Sequence, residues 1–191
     1  MDYSQFFNMI PEAGLMAILV IVFLADLFLK GEKKHATLSM LTCALLVAQV
    51  VLCFNAQPAE TFAGLYTATA AAQVMKVILT AGAYIVVVMA QSWIEREDVL
   101  RKEGEFYELI ISTLLGMYMM ISSGHFLMFF LGLEMASVPM ACLVAFDKYK
   151  KISAEGAAKF ILTATFSSGV MLYGISFIYG ACGTLYFDDM A

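Results

Sequence analysis

The sequence is poor in charge and in the residues that soluble enzymes use for chemistry. Only 14% of its 191 residues are Asp, Glu, Lys or Arg, and it contains just two histidines. Soluble domains average about 25% charged residues. The low charge therefore excludes a soluble enzyme, a nucleic-acid-binding protein and a disordered chain.

Motifs for cofactor binding and nucleophilic catalysis are also missing. The sequence contains no GxGxxG or GxxxxGK[ST] motif and no Ser/His/Asp arrangement. Its four cysteines have neither CxxC nor Cys/His spacing and lie in or beside apolar runs, so we interpret them as packing residues. They are Cys43, Cys53, Cys142 and Cys182. We expect this chain to bind no cofactor or metal and to run no redox or hydrolytic chemistry by itself.

Hydrophobic residues, in contrast, make up 62% of the chain, and the mean hydropathy is +0.83. A transmembrane helix needs about 20 consecutive apolar residues. A chain of this length and composition has room for about six such helices and little else. We therefore predict an all-α, polytopic helical bundle in which residues 1–191 form a single membrane domain.

Continuous apolar stretches place the predicted spans directly. An unpaired backbone cannot lie in lipid, so each stretch is predicted to be helical. The predicted spans are residues 10–29, 38–54, 74–93, 106–122, 126–146 and 157–180.

Basic residues predict the orientation of the bundle. Nine of the eleven Lys and Arg residues fall between spans one and two, three and four, or five and six. The positive-inside rule puts these three connections in the cytoplasm and both termini outside. The N-terminal region has no basic residue, so we predict that the first span is retained rather than cleaved as a signal peptide.

Glu134 is the acidic residue that lies deepest in a predicted span. It is about 18 Å from the cytoplasmic end of its helix at 1.5 Å per residue. Intramembrane carboxylates are costly and usually mark an ion or proton path. Gly132 and Ala136 flank Glu134 as a small-xxx-small pair that lets a neighbouring helix approach closely. The alternative is a neutral, hydrogen-bonded acid that only holds helices together.

Two lysines lie inside predicted spans rather than between them. Lys159 is predicted to be a cation near a proton path; alternatively it extends to the interface and pairs with Glu155 one turn earlier. Lys76 lies at the outer end of the third span, where extension of its side chain to the interface is the simpler interpretation.

Several stretches of the sequence resemble a known protein family. Residues 105–146, with FLGLE and the small residues after it, are similar to spans four and five of the antiporter-like membrane subunits of respiratory NADH–quinone oxidoreductase, most closely the N subunits. The stretches SAEGAAKF (Ser153 to Phe160) and LYGISFIYGACGT (Leu172 to Thr184) fit the same subunit. The opening PE…ADLFL fits its first span more loosely.

The resemblance implies functional roles for two residues. The glutamate of the family's GLE motif is the acidic member of a proton-translocation unit, and it falls on Glu134. A lysine after the SAE motif lines the same hydrophilic path, and it falls on Lys159. The family's subunit carries no redox centre, because NADH and quinone bind elsewhere in the complex. Its partners are the lipid bilayer and other membrane subunits, and its place is the bacterial inner membrane.

Family members are much longer than this chain. They continue into a second half that includes a lysine in span seven, the usual partner of the span-five glutamate, which is absent here. The resemblance therefore predicts the N-terminal portion of a proton-translocating subunit that would not pump alone. Two other functions stay open: a structural or assembly subunit without transport, and a component of a multisubunit cation/proton antiporter.

Overall fold

A computed structural model describes residues 3–29, 34–95, 102–147 and 150–190. Its helices, in chain order, are α1 Ile10–Phe28, α2 Lys34–Asn55, α3 Ala70–Ile94, α4 Glu103–Ile121, α5 Phe126–Val144 and α6 Lys151–Cys182. Short 3-10 helices lie at Tyr3–Met9 and Asp188–Met190. Among the described residues there are thus six α-helices, which confirms the predicted all-α bundle.

Five of these helices are long and apolar enough to cross a membrane: α1, α2, α3, α5 and α6. Helix α4 occupies the predicted fourth span, but three glutamates in its first two turns lower its hydropathy. It is also the helix with the most enclosed surface, because α1, α3 and α5 all pack against it. A helix shielded by other helices has less need of an apolar surface for lipid.

Local sequence sets several helix ends. Pro11 lies in the first turn of α1, where a missing N–H costs nothing. The Thr69 side chain accepts a hydrogen bond from the Ala72 N–H at the start of α3. Gly183 ends α6 with φ +73°, a left-handed conformation that glycine adopts without strain.

A short β-hairpin joins α2 to α3. Strands β1 Ala59–Thr61 and β2 Tyr66–Ala68 pair antiparallel, with Thr61 opposite Tyr66. Its turn needs positive φ at Phe62, Ala63 and Gly64, and only the last of these is a glycine. This turn could not be predicted from the sequence, because Phe62 and Ala63 are residue types that disfavour positive φ.

The hairpin gathers several segments at one end of the bundle. The Thr67 N–H bonds to the Ser122 carbonyl at 2.9 Å, and the Gly124 N–H bonds to the Leu65 carbonyl at 2.9 Å. A Cβ on Gly124 would lie 2.0 Å from the Gly64 carbonyl oxygen, so this approach requires glycine. We call this the hairpin end, and it consists of residues 59–68, 122–125 and 184–190.

Both ends of the described chain reach the hairpin end. The Phe62 N–H bonds to Gln5 near the N-terminus, and the Phe126 N–H bonds to the Leu185 carbonyl after α6. The side of the membrane that this end faces remains a prediction from the basic residues. Several of those basic residues fall within 30–33, 96–101 and 148–149, which lie outside the described residues.

The six helices divide into two regions. Helices α1 to α4 share one apolar core, which includes Leu15, Leu46, Val87, Ile111 and Leu114. Helix α5 packs on α4, and α6 packs on α5. Only Ser168 and Ile175 of α6 are buried, so this last helix is mostly uncovered.

Candidate functional site

Glu134 lies in the middle of α5 and faces a small cavity between α5 and α6. Its Oε1 atom is buried and has no hydrogen-bond partner among the described residues. The cavity has a volume of about 30 Å³, and about 10–15 Å³ is enough for one water molecule. Its lining residues are Glu134, Ser137, Val138, Ala141, Phe160, Ile161, Ala164 and Thr165. A carboxyl group in this setting can exchange a proton with a water molecule.

A very close contact between α4 and α5 fixes the position of Glu134. A Cβ on Gly116 would lie 2.4 Å from the Ala136 nitrogen, and a Cβ on Gly132 would lie 2.7 Å from the Met120 nitrogen. The prediction that Gly132 and Ala136 allow close helix approach is thus confirmed. Because Glu134 lies between these two residues, its backbone is held against α4.

Lys159 lies on an exposed face of α6. Its Nζ donates to Glu155 Oε1 at 2.5 Å, and its side chain is 75% exposed. This is the interfacial pair that the sequence left open as the alternative for Lys159. A shallow groove beside it is lined by Phe160, Thr163, Ala164 and Ser167.

Glu134 and Lys159 lie on neighbouring but separate surfaces. Phe160 and Ala164 line both the Glu134 cavity and the Lys159 groove. These two side chains therefore stand between the acid and the lysine, and no direct ion pair joins them.

Lys76 is placed very differently from the interfacial position expected for it. Its side chain is fully buried, and its Nζ donates to Glu12 Oε1 at 2.5 Å. Its Nζ also lies 5.4 Å from the ring centres of Tyr66 and Tyr118. The interfacial interpretation is wrong because Glu12, in the first turn of α1, supplies a buried counter-charge.

Hydroxyl groups complete the surroundings of this ion pair. Tyr66 donates to Glu12 Oε2 at 3.0 Å, and Ser122 donates to Glu12 Oε1 at 3.3 Å. Lys76 Nζ donates to Tyr66 Oη at 3.4 Å. Burial, together with the Glu12 carboxylate, raises the pKa of Tyr66 well above its usual range, so its hydroxyl stays a donor.

A second layer of polar contacts continues from the ion pair toward α2. Tyr118 Oη contacts the Thr80 hydroxyl and donates to the Lys76 carbonyl at 3.3 Å. Cys53 Sγ lies 3.1 Å from Tyr118 Oη, and Gln49 donates to the Pro11 carbonyl at 2.6 Å. We call Glu12, Lys76, Tyr66, Ser122, Tyr118, Thr80, Cys53 and Gln49 the buried polar cluster.

The sequence did hold a signal for this cluster. Glu12 and Lys76 carry opposite charges and fall at the outer ends of predicted spans one and three, on the same side of the membrane. Their separation of 64 positions gives no local pattern, so the pairing needed the structure. A further pair, His35 with Glu103 at 2.5 Å, lies at the opposite end of the bundle and was also missed.

The described residues hold no group of three or more His, Cys, Asp and Glu side chains that could bind a metal ion. Carboxyl, amine and hydroxyl groups that could exchange protons are present inside the bundle. Glu134 with its cavity and the buried polar cluster are two places where the described residues offer such groups inside the helical bundle.

Comparisons with known proteins identify several relatives of this chain. Residues 123–191 match the family model described as NADH:quinone oxidoreductase/Mrp antiporter, TM. The chain is 53% identical over 190 residues to NADH-quinone oxidoreductase subunit N of Phocaeicola vulgatus. It is 42% identical over 193 residues to the same subunit of Azobacteroides pseudotrichonymphae. Both alignments cover 100% of this chain, which spans 40% of the length of each relative.

Solved structures share the fold. Respiratory complex I from Thermus thermophilus matches 92% of this chain with a TM-score of 0.75 and 24% identity, over 38% of the matched chain. A membrane-bound sulfane sulfur reductase, an archaeal respiratory membrane complex, matches 94% of this chain with a TM-score of 0.72 and 18% identity, also over 38% of its own chain. The same helical arrangement therefore occurs in at least two respiratory membrane complexes.

Proposed function

We propose that this chain is part of a proton-translocating membrane subunit and forms the N-terminal portion of a protein like NADH-quinone oxidoreductase subunit N. Its similarity to two such subunits over its whole length supports this proposal. The complete complex would be an NADH:quinone oxidoreductase that couples quinone reduction to proton transport. This chain alone would catalyse no reaction. Its place would be the bacterial inner membrane, which it crosses several times.

The observation that carries this proposal is the unpaired Glu134 oxygen beside a cavity large enough for water. A carboxyl group that served only to hold helices together would have both oxygens hydrogen-bonded. Glu134 would exchange a proton with water in this cavity. Lys159, on the far side of Phe160 and Ala164, would act on the same path through its charge rather than by direct contact.

The proposal includes other membrane subunits as partners, and α6 supports it. Lys159, Thr163 and Ser167 lie on an exposed part of this helix. Ionisable side chains within a membrane span usually face protein or water rather than lipid, so this face would be covered by protein. NADH and quinone would bind outside this chain.

The test is Glu134→Gln in the full-length subunit within the assembled complex. Glutamine keeps the shape of the side chain but cannot take up a proton. We expect fewer protons translocated per NADH oxidised, with quinone reduction and assembly retained. Glu60→Gln, the same change at an exposed residue of the hairpin, is the matched control and should leave translocation unchanged.

The same experiment separates the two alternative functions. Normal proton translocation in an assembled Glu134→Gln complex would contradict the role of Glu134. Failure of this variant to assemble would favour a structural subunit. Proton movement that requires sodium would favour a cation/proton antiporter component.

A further inference from the structure

The Glu12–Lys76 pair is the most fully buried pair of opposite charges among the described residues, and the proposed path through Glu134 does not use it. Lys76 is 0% exposed and Glu12 is 5% exposed. Replacing such a pair by apolar residues of similar size is often neutral or stabilising. Ionisable groups kept inside a membrane domain therefore call for a functional explanation.

The pair has few ionisable neighbours, and they come from three sides. Tyr66 faces it from the hairpin, Tyr118 from α4 and Cys53 from α2. Each of these three groups is neutral when protonated. Glu12 and Lys76 are thus the two groups in the buried polar cluster whose charges compensate each other.

We propose that Glu12 and Lys76 form a second proton-exchanging site in the transport path, an inference that rests on the proposed function. In the exchange, one N–H bond of the Lys76 ammonium breaks and an O–H bond forms on Glu12 Oε1. The products are a neutral amine and a neutral carboxylic acid. The donor and acceptor atoms are already 2.5 Å apart, and the net charge of the site does not change.

Equal net charge before and after the transfer suits a dry interior. A single charge moved into a low-dielectric region carries a large desolvation cost, whereas the two forms of this pair both have zero net charge.

Polar groups extend from the pair toward the hairpin end and provide a route to water. Tyr66 and Ser122 hydroxyls donate directly to Glu12. Thr61, opposite Tyr66 in the hairpin, has a buried hydroxyl with no hydrogen-bond partner among the described residues. This unsatisfied hydroxyl is available to a water molecule at the hairpin end.

The decisive variant is Lys76→Arg in the full-length subunit of the assembled complex. Arginine keeps the positive charge, the ion pair with Glu12 and the stacking on tyrosine rings, but it does not release its proton in proteins. We expect fewer protons translocated per NADH oxidised, with quinone reduction retained. Lys151→Arg, at an exposed lysine at the start of α6, is the matched control and should behave as the unmodified complex.

A purely structural pair would respond differently. Wild-type proton translocation in the Lys76→Arg complex would overturn the proposal. The double variant Glu12→Gln/Lys76→Met removes both charges together and provides a second measurement. Loss of translocation in the assembled double variant supports the proposal, and retention overturns it. If neither variant assembles, the pair serves assembly and the proposal is likewise overturned.

The Glu134→Gln complex shows which of the two proposals has failed. Loss of translocation with Glu134→Gln but not with Lys76→Arg would contradict only the proposal that Glu12 and Lys76 form a second site. Loss with Lys76→Arg but not with Glu134→Gln removes the role of Glu134 and leaves proton exchange at the Glu12–Lys76 pair. Normal translocation in both variants removes the transport function for this part of the chain.

Discussion

The region formed by α1 to α4 and the region formed by α5 and α6 handle buried charge in opposite ways. In the first, Lys76 and Glu12 are enclosed and paired, and two hydroxyl groups and two aromatic rings contact their charged groups. In the second, Glu134 has an unpaired oxygen beside a cavity, and Lys159 is exposed. Because Glu12 and Lys76 are enclosed, replacing one of them should strongly lower the free energy of unfolding. Replacing Lys159, which is exposed, should change it little.

Lys76→Met should give the largest loss of stability, because it leaves the Glu12 charge buried without a partner. Breaking a buried ion pair on one side costs about 3–5 kcal/mol. The measurement is denaturant unfolding of the protein in detergent micelles. The double variant Glu12→Gln/Lys76→Met should recover a large part of this loss. If Lys76→Met were as stable as the wild type, this would contradict the burial of the Glu12–Lys76 pair.

Tyr66→Phe should give the next largest loss. It removes the hydroxyl that donates to Glu12 and accepts from Lys76. Hydrogen bonds to charged groups contribute about 1.5–3 kcal/mol. Tyr179→Phe on the exposed part of α6 is the matched control, and its unfolding midpoint should not change. Equal effects of the two variants would show that the Tyr66 hydroxyl does not contribute to the pair.

Gly116→Ala tests the junction between the two regions. The new Cβ would meet backbone atoms of Met135 and Ala136 at 2.7 and 2.4 Å, so α4 and α5 must move apart. Overpacking of this kind costs about 1–3 kcal/mol. Gly169→Ala, where a Cβ meets nothing within 4 Å, should be neutral or slightly stabilising because alanine favours helix. Similar unfolding midpoints for these two variants would contradict the close contact.

The same contrast explains what could be predicted from the sequence. Hydropathy predicted an all-α bundle of about six helices, because a backbone in lipid must satisfy its own hydrogen bonds and a helix does so within one segment. The Gly132/Ala136 contact and the Glu155–Lys159 pair were also visible, since their residues lie within one helical turn of each other. The Glu12–Lys76 pair and the hairpin were missed. Both depend on partners far apart in sequence or on backbone angles that Phe62 and Ala63 do not favour.

Lys159→Met should have the smallest effect on stability and completes the comparison with Lys76→Met. The two variants make the same chemical change, one at an exposed pair and one at a buried pair. Exposed ion pairs on helices contribute about 0.3–0.5 kcal/mol, which salt reduces further. We therefore expect the unfolding midpoint of Lys159→Met to stay close to wild type in detergent micelles. A loss as large as that of Lys76→Met would mean that Lys159 is enclosed in the folded protein, and the two regions would then not differ in how they hold charge.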